Sequence, residues 1–441
     1  MTKEKLDGLY LMAIGCAVFL LLGLALENAS PKSMTDFKVP YYSARLLLQH
    51  GDPYTQSQVL QLYQREKGAY PGETWSETLS ETRFVYLPTL FLFTAPLATL
   101  SFGPSHLIWM AFSLSSVVLG SFLIWNLASD YAPVVSAFLI AFMLANSELL
   151  VVFGNPAGLA IGLGMIAVWC FIRNRYWLAG ALCMACALLI KPHDIGPVWL
   201  YFVLAGGLYR KRALQVLAFT VALGVPTVLC VTYFSPHWIS ELHYLLSVAG
   251  QRGGVNDPGP ASTGDHGLAM MTNLQTALTV IWDNPRFYNP VTWLVAAPML
   301  AIWLIKVARS QVSPLQTWLA LASITPMLLV GMYHRQHDAL LMLLAVPACA
   351  MLKSRAGSTG KLAVAFTITA FVFTGNILWT ILFSLVDKLR VPFTPLSERI
   401  LIAVISIPIP VVLLVMTVFY LRTFLRLPNK TAPLEMDGTA L

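Results

Sequence analysis

Charge is the scarcest property of this chain. Only 11% of its 441 residues are Asp, Glu, Lys or Arg, against 57% apolar ones. A soluble globular domain carries about 25% charged residues, so a water-solvated fold is excluded and lipid is the principal solvent. A disulfide framework is also lacking. The six cysteines, Cys16, Cys170, Cys183, Cys186, Cys230 and Cys349, all fall inside apolar runs, and the C-x-x-C of Cys183 and Cys186 reads as helix packing rather than redox or zinc chemistry. The glycine-rich tract at 250–267 has no G-K-[ST] ending and so makes no phosphate loop. No nucleic-acid-binding module and no internal repeat are visible. The net charge of +7 is therefore a matter of topology, since Lys and Arg gather at the ends of apolar segments held in the cytoplasm.

What the chain does have is long uncharged stretches from end to end, which predict an all-α polytopic membrane protein. The first covers residues 8–26; at ~1.5 Å per residue it reaches about 28 Å, enough to cross the hydrocarbon core. It exceeds the roughly 7–15 apolar residues of a cleaved signal, and Glu27 spoils a small-x-small cleavage pattern, so it reads as an uncleaved anchor. Further runs lie at 84–100, 105–127, 132–153, 156–172, 177–190, 195–209, 213–234, 290–305, 315–333, 339–352, 362–386 and 400–421. Lys3 and Lys5 place the N-terminus inside, and basic clusters at Arg173/Arg175, Arg210/Lys211/Arg212, Lys306/Arg309, Lys353/Arg355/Lys361 and Arg422/Arg426/Lys430 mark inner turns. One transmembrane domain over 1–426 follows, with outer loops at 27–83 and 235–289 and a disordered cytoplasmic tail at 427–441. Both termini are expected inside the plasma (inner) membrane of a bacterial cell. Four runs separate the first outer loop from the Arg173 turn, and an even number cannot do so; the run 132–153, interrupted by Asn146, Ser147 and Glu148, is expected to be the incomplete one. About 12 true spans result.

With this topology, seven of the eight histidines and most of the aspartates face outward. An enzyme working there has no nucleotide sugar at hand, so an activated substrate must arrive on a lipid. The 235–289 loop holds Trp238, Tyr244, Trp282, Phe287 and Tyr288, suited either to the headgroup belt or to sugar faces. Its glycine-rich tract is expected to be mobile and to close over a substrate. "IKPHD" (190–194) sets Lys191, His193 and Asp194 between two apolar runs, where ionisable groups are costly. "YHRQHD" (333–338) carries His334, Arg335, His337 and Asp338. A His-x-x-His pair without a third ligand argues against zinc, whereas a guanidinium matches a phosphate in a bidentate fork. Arg335, His334, His337 and Lys191 are accordingly the candidates for phosphate binding. No metal is assigned and no cofactor is required, a divalent cation being the one possibility left open.

Two early blocks carry a family resemblance. "DFKVPYYSARLLLQHGDPY" (36–54) followed by "FVYLPTLFLFTAPLATL" (84–100) resembles glycosyltransferase family 87, in which Asp-Phe and Tyr-Tyr lead to A-R-x-L-L, G-x-D-P-Y and then F-x-Y-P-P. "GNPAGLAIGLG" (154–164) through "LLIKP" (188–192) is similar to the family's next block, and "HDALLMLLAVPA" (337–348) to its late one. Leu87 stands where proline is usual, Gly154 precedes Asn155 where the family has Gln-x-Asn, and Gly51-Asp52 is one residue tighter than G-x-D. The resemblance implies a GT-C-type helical bundle with its active site in extracytoplasmic loops. It also implies transfer of mannose or arabinose from a polyprenyl-phosphate donor to a lipid or cell-envelope glycan. Asp36 then holds the place of the catalytic base, the alternative being a helix cap or a partner of Arg45. Tyr41, Tyr42 and Tyr86 are expected either to line the substrate, with Arg45 and His193, or to sit in the interfacial belt, and Asp52 organises its Asp-Pro turn. One carboxylate without a nucleophile partner favours inversion. A lipid-linked saccharide flippase or polymerase, or a secondary transporter, is the rival; a transporter calls for ionisable groups at mid-bilayer and paired broken helices.

Overall fold

The computed structural model describes residues 2–30, 33–66, 83–262, 271–355, 357–388 and 395–429. Among them the protein is helical throughout, with no strand beyond two isolated bridges. Seven helices are long and apolar enough to cross a membrane: Lys3–Ala29, Phe102–Ala128, Gly207–Phe234, Pro285–Arg309, Pro314–Gly331, Gln336–Ser354 and Ile400–Leu425. An eighth span forms if Ser358–Thr374 and Asn376–Val386, bent by 50°, count as one. The other apolar helices described as short are Pro88–Ala98, Pro133–Ala145, Pro156–Ile172 and Trp177–Ile190. Helices of spanning length thus number seven or eight among the described residues, fewer than the 12 expected from apolar runs. Proline and asparagine explain the difference. Pro133, Pro156 and Pro192 each open a helix, and Pro133–Ala145, Pro156–Ile172 and Pro192–Ala205, of 13, 17 and 14 residues, each fall short of the ~20 that a full span takes.

The first helix is ordered by its small residues. Gly8, Gly15 and Gly23 share a buried face with Met12, Phe19 and Glu27. A side chain at Gly8 would meet the Pro133 carbonyl at 3.0 Å, one at Gly15 the Ala141 Cβ at 2.4 Å, and one at Gly23 the Val151 Cγ2 at 2.6 Å. Lys3–Ala29 therefore lies parallel to the stretch 133–153, backbone close to backbone, as small residues permit between membrane helices. That stretch breaks at Asn146 and Ser147 into Pro133–Ala145 and Glu148–Phe153, yet follows the first helix along most of its length.

The incomplete segment is instead the run 84–100, which corrects the expectation placed on 132–153. Its helix Pro88–Ala98 is short, and both flanks contact the same stretch of chain. Tyr54 donates to the Tyr86 carbonyl at 3.0 Å before it, and Tyr41 donates to the Leu100 carbonyl at 2.8 Å after it. A segment that leaves where it entered restores the odd number of crossings. At the opposite end, Lys5 and Arg173 meet on Asp130 at 2.8 and 3.0 Å, so the N-terminus and the Arg173 turn share one face. Burial works against ionisation of Asp130, but its two cationic partners prevail and hold the carboxyl below the usual range.

Replacing Gly15 by Leu should wedge the two helices apart. The expected loss is about 1–3 kcal/mol, the usual range for overpacking, read as a lower thermal unfolding midpoint of the detergent-solubilised protein.

Candidate active site

Asp36 stands in the first turn of the helix Thr35–Leu48, where the helix dipole favours a negative charge. The chain reaches this turn through Met34, in the left-handed region at φ 60°, whose N–H donates to the Val152 carbonyl at 2.6 Å. Beyond Val152 the chain turns at Gly154 with φ 62°, a left-handed conformation that favours glycine, and the Met34 thioether packs 2.6 Å from where a side chain would start. Asn155 then caps the helix Pro156–Ile172. Its Oδ1 accepts the Ala157 N–H at 2.8 Å, which leaves its amide Nδ2 to donate to Asp36 Oδ2 at 2.7 Å. The cap thereby decides which end of the amide Asp36 meets. Trp109 anchors this corner, donating to the Gly154 carbonyl at 2.9 Å and stacking on Phe37 with centroids 4.9 Å apart.

A second centre forms where Pro192 interrupts the chain. Lys191 sits between Trp177–Ile190 and Pro192–Ala205, and its ammonium donates a short hydrogen bond to Asp338 while lying 3.4 Å from Asp194 Oδ2. Asp338 Oδ2 also accepts the Arg335 N–H at 2.9 Å. All three charged side chains are buried, Asp194 completely. Histidines surround them. His337 Nε2 is 3.6 Å from Asp338 Oδ1, while His334 Nε2 and His193 Nε2 lie 3.2 and 3.4 Å from Asp194 Oδ1. His334 is fully buried; His193 is 44% exposed and forms the open side of the cluster. His193, Asp194 and His334 are the one group of metal-capable side chains among the described residues, their ligand atoms all within 4.8 Å of one another. The His-x-x-His pair read from sequence is thus divided: His334 faces Asp194, and His337 faces Asp338.

Arg335 clamps the long loop. Its Nε bonds the Tyr333 hydroxyl, and its Nη2 donates to the Val255 carbonyl at 2.9 Å and to Asn256 Oδ1 at 3.4 Å. Thr272 donates its N–H to the His334 carbonyl at 3.1 Å, beside a backbone bridge between Met271 and Arg335. Within the loop, Asp257 accepts the N–H groups of Gly253 and Gly259 at 2.7 and 2.9 Å. Through Ser262 the glycine-rich tract is a set of tied turns rather than a loose flap; Asp265 and His266 lie outside the described residues.

The two centres adjoin. Asp36 is within electrostatic reach of Tyr86, Arg335 and His337, and Tyr86 is likewise within reach of Asp338. The remaining candidates go elsewhere. Tyr41 and Tyr42 are each 1% exposed, and they pack edge-on to one another with Tyr42 also against Tyr63. Arg45 pairs with Glu66 at 2.7 Å and donates to the Ala98 and Leu100 carbonyls. Tyr41 and Arg45 thus hold the end of the short helix Pro88–Ala98, and the two buried tyrosines present no surface open to a ligand, in contrast to the substrate-lining task expected of them. Asp52 accepts from the Tyr54 N–H, the Thr55 hydroxyl and the Ser235 hydroxyl at 3.0, 3.1 and 2.8 Å, tying its turn to the later loop. Asn155 and the loop residues Val255, Asn256 and Thr272 were not singled out from sequence as site residues. The cap position after Gly154 and before Pro156 was the signal for Asn155.

A polytopic helical membrane protein with a carboxylate beside a basic, histidine-rich centre is the class that this fold and site define. The chain belongs to glycosyltransferase family 87, of the GT-C superfamily: that family's model matches residues 84–331, more than half of the sequence. The protein is accordingly a membrane glycosyltransferase. No curated protein and no solved structure matches it. The matched stretch contains Tyr86, Asn155, Lys191 and Asp194; Asp36 and the 334–338 segment lie outside it and join it through the Asn155 hydrogen bond and the Lys191 ion pair.

Replacing Lys191 by Met leaves Asp194 and Asp338 buried without their common cation. A loss of about 3–5 kcal/mol is expected, seen as poor recovery of folded protein, with partial recovery when Asp338→Asn is added. Asn155→Ala removes a helix cap and should cost about 0.5–2 kcal/mol, measured by thermal unfolding.

Proposed function

We propose that the protein moves a sugar, mannose or arabinose, from a polyprenyl-phosphate donor to a lipid or cell-envelope glycan. The reaction takes place on the extracytoplasmic face of the bacterial inner membrane, with both chain termini in the cytoplasm. The observation that carries this reading is the joining of two distant stretches: the Asp36 carboxylate, oriented by Asn155, lies within electrostatic reach of Arg335 and His337. A base for the acceptor and a cationic centre for the leaving phosphate are what such a transfer needs.

In this mechanism Asp36 takes the proton of the acceptor hydroxyl as its oxygen bonds to the anomeric carbon. The bond from that carbon to the phosphate oxygen breaks, and its electron pair leaves with the polyprenyl phosphate. A single displacement inverts the anomeric centre. Charge developing on the phosphate is met by donors already in place. Arg335 contributes Nη1, its other nitrogens being engaged by Tyr333, Val255 and Asn256. His334 and His337 border the same centre. Lys191 is shared between two carboxylates, so its part is to keep the cluster together while Arg335 faces the phosphate. His193 and Tyr86 stand where substrate would pass.

A flippase or transporter gains support from one feature, a pair of broken helices meeting at a buried acid. The Asn376 N–H donates to the Asn146 carbonyl at 3.2 Å and its side chain to Glu148 Oε1 at 2.6 Å, with Glu148 2% exposed. The broken ends close on each other, however. A side chain at Gly375 would meet Asn146 Cβ at 2.6 Å, so the crossing is a packed joint with no room for a passing ion or sugar. The transferase reading stands first.

Labelled polyprenyl-phosphate mannose and arabinose, offered with membrane lipid extract, test it. Asp36→Asn should lower transfer by about 10²–10⁴-fold, the usual worth of a general base, at unchanged thermal stability. Equal transfer by variant and wild type removes Asp36 from the role of base; no transfer from either donor removes this donor class.

A further inference from the structure

We infer that His193, Asp194 and His334 form a binding site for a single zinc-like divalent cation, with an open position on the His193 side. The argument begins with His334. Its Nδ1 lies 3.3 Å from the Met332 carbonyl, and a carbonyl can only accept, so Nδ1 carries the proton and Nε2 the lone pair. A hydrogen bond of this kind, from the second ring nitrogen to a carbonyl, commonly orients a metal-binding histidine. Asp194 Oδ1 lies 3.2 Å from Nε2, off the axis a hydrogen bond would take, and is itself only an acceptor when ionised. Both residues are completely buried, and neither His334 Nε2 nor either oxygen of Asp194 makes a hydrogen bond of acceptable geometry. Polar atoms without a hydrogen bond are costly in a protein interior, and two neighbouring lone pairs not aimed at each other leave room for a cation that both could ligate.

The spacing fits one. Ligand atoms about 2.0–2.1 Å from a tetrahedral zinc stand roughly 3.3 Å from one another. Asp194 Oδ1 lies 3.2 Å from His334 Nε2 and 3.4 Å from His193 Nε2, and all three ligand atoms fall within 4.8 Å. Two imidazoles and one carboxylate are a donor set that zinc accepts with a fourth position left to water or substrate. Lys191 does not occupy this space, because it faces the other oxygen of Asp194 and bridges to Asp338. The exposed ring of His193 marks the side on which the fourth position opens. On the transferase reading above, that position would take an oxygen of the donor's phosphate.

Purified full-length protein in detergent, stripped with chelator and reloaded, provides the test. Elemental analysis should find about one zinc per chain. Cobalt loading should give the intense visible bands of a four-coordinate ion, and inorganic phosphate should shift them. His193→Ala, a change at an exposed side chain, should weaken zinc binding by about 100-fold or more, at least the loss typical of disturbing an outer-shell partner. His243→Ala, at an exposed histidine outside the cluster, should leave it unchanged. Retention of zinc by His193→Ala equal to that of wild type, or no stoichiometric zinc in wild type, overturns the site. Cobalt bands indifferent to phosphate overturn the open position as a phosphate site. Metal content is read without any sugar donor, so failure of every donor in the transfer assay leaves this result standing.

Discussion

One buried ammonium holds the functional half of this molecule together. Lys191 answers both Asp194, three residues ahead of it, and Asp338, which arrives from the far end of the chain. Each of these groups is strongly disfavoured in a low-dielectric interior on its own, and the trio is tolerable only when complete. Its completion fixes where the segment 334–338 must stand. From that placement follow the pairing of Thr272 with His334, the clamp of Arg335 on the 255–256 turn, and the approach of His334 to Asp194. The Asp36 corner attaches to the same assembly through Asn155, whose helix cap is a purely local decision of the backbone.

The membrane part of the fold was legible because hydrophobicity over about 20 residues is a direct physical signal. Length was the weaker guide. The runs 177–190 and 195–209 read as two spans, but around Pro192 they form helices of 14 residues each, and the polar residues that accumulate at such breaks are the ones the site uses. The segment 84–100 misled for a related reason. It is apolar enough for a span, but Pro88 and Pro96 and the flanking bonds from Tyr41, Arg45 and Tyr54 keep it to one side. Interruption at Asn146–Glu148 was visible in the sequence, while its partner, the bend at Gly375 and Asn376, has no comparable polar cluster and was not.

The site was legible as a list of residues and not as a set of contacts. IKPHD and YHRQHD stand out because ionisable groups are rare here, and Asp36 because of its place in a recognisable block. Which histidine meets which carboxylate depends on a chain crossing of 147 residues, and no local pattern encodes it. Tyr41 and Arg45 illustrate the converse: aromatic and basic residues next to a candidate base look like substrate contacts, yet their polar ends are needed to satisfy carbonyls left over at the end of the Pro88–Ala98 helix.

The separation of Lys191 from Asp338 also bears on how the protein is made. At roughly 5–20 residues per second of synthesis, Lys191 and Asp194 emerge some 7–30 seconds before Asp338 exists. During that interval the 190–194 turn has its own Lys191–Asp194 pair but not the Asp338 carboxylate that completes the cluster. Docking of the 334–338 segment is thus a late assembly step, and a chain released before residue 338 keeps the Lys191–Asp194 pair but lacks the second carboxylate and the histidines and arginine that segment brings.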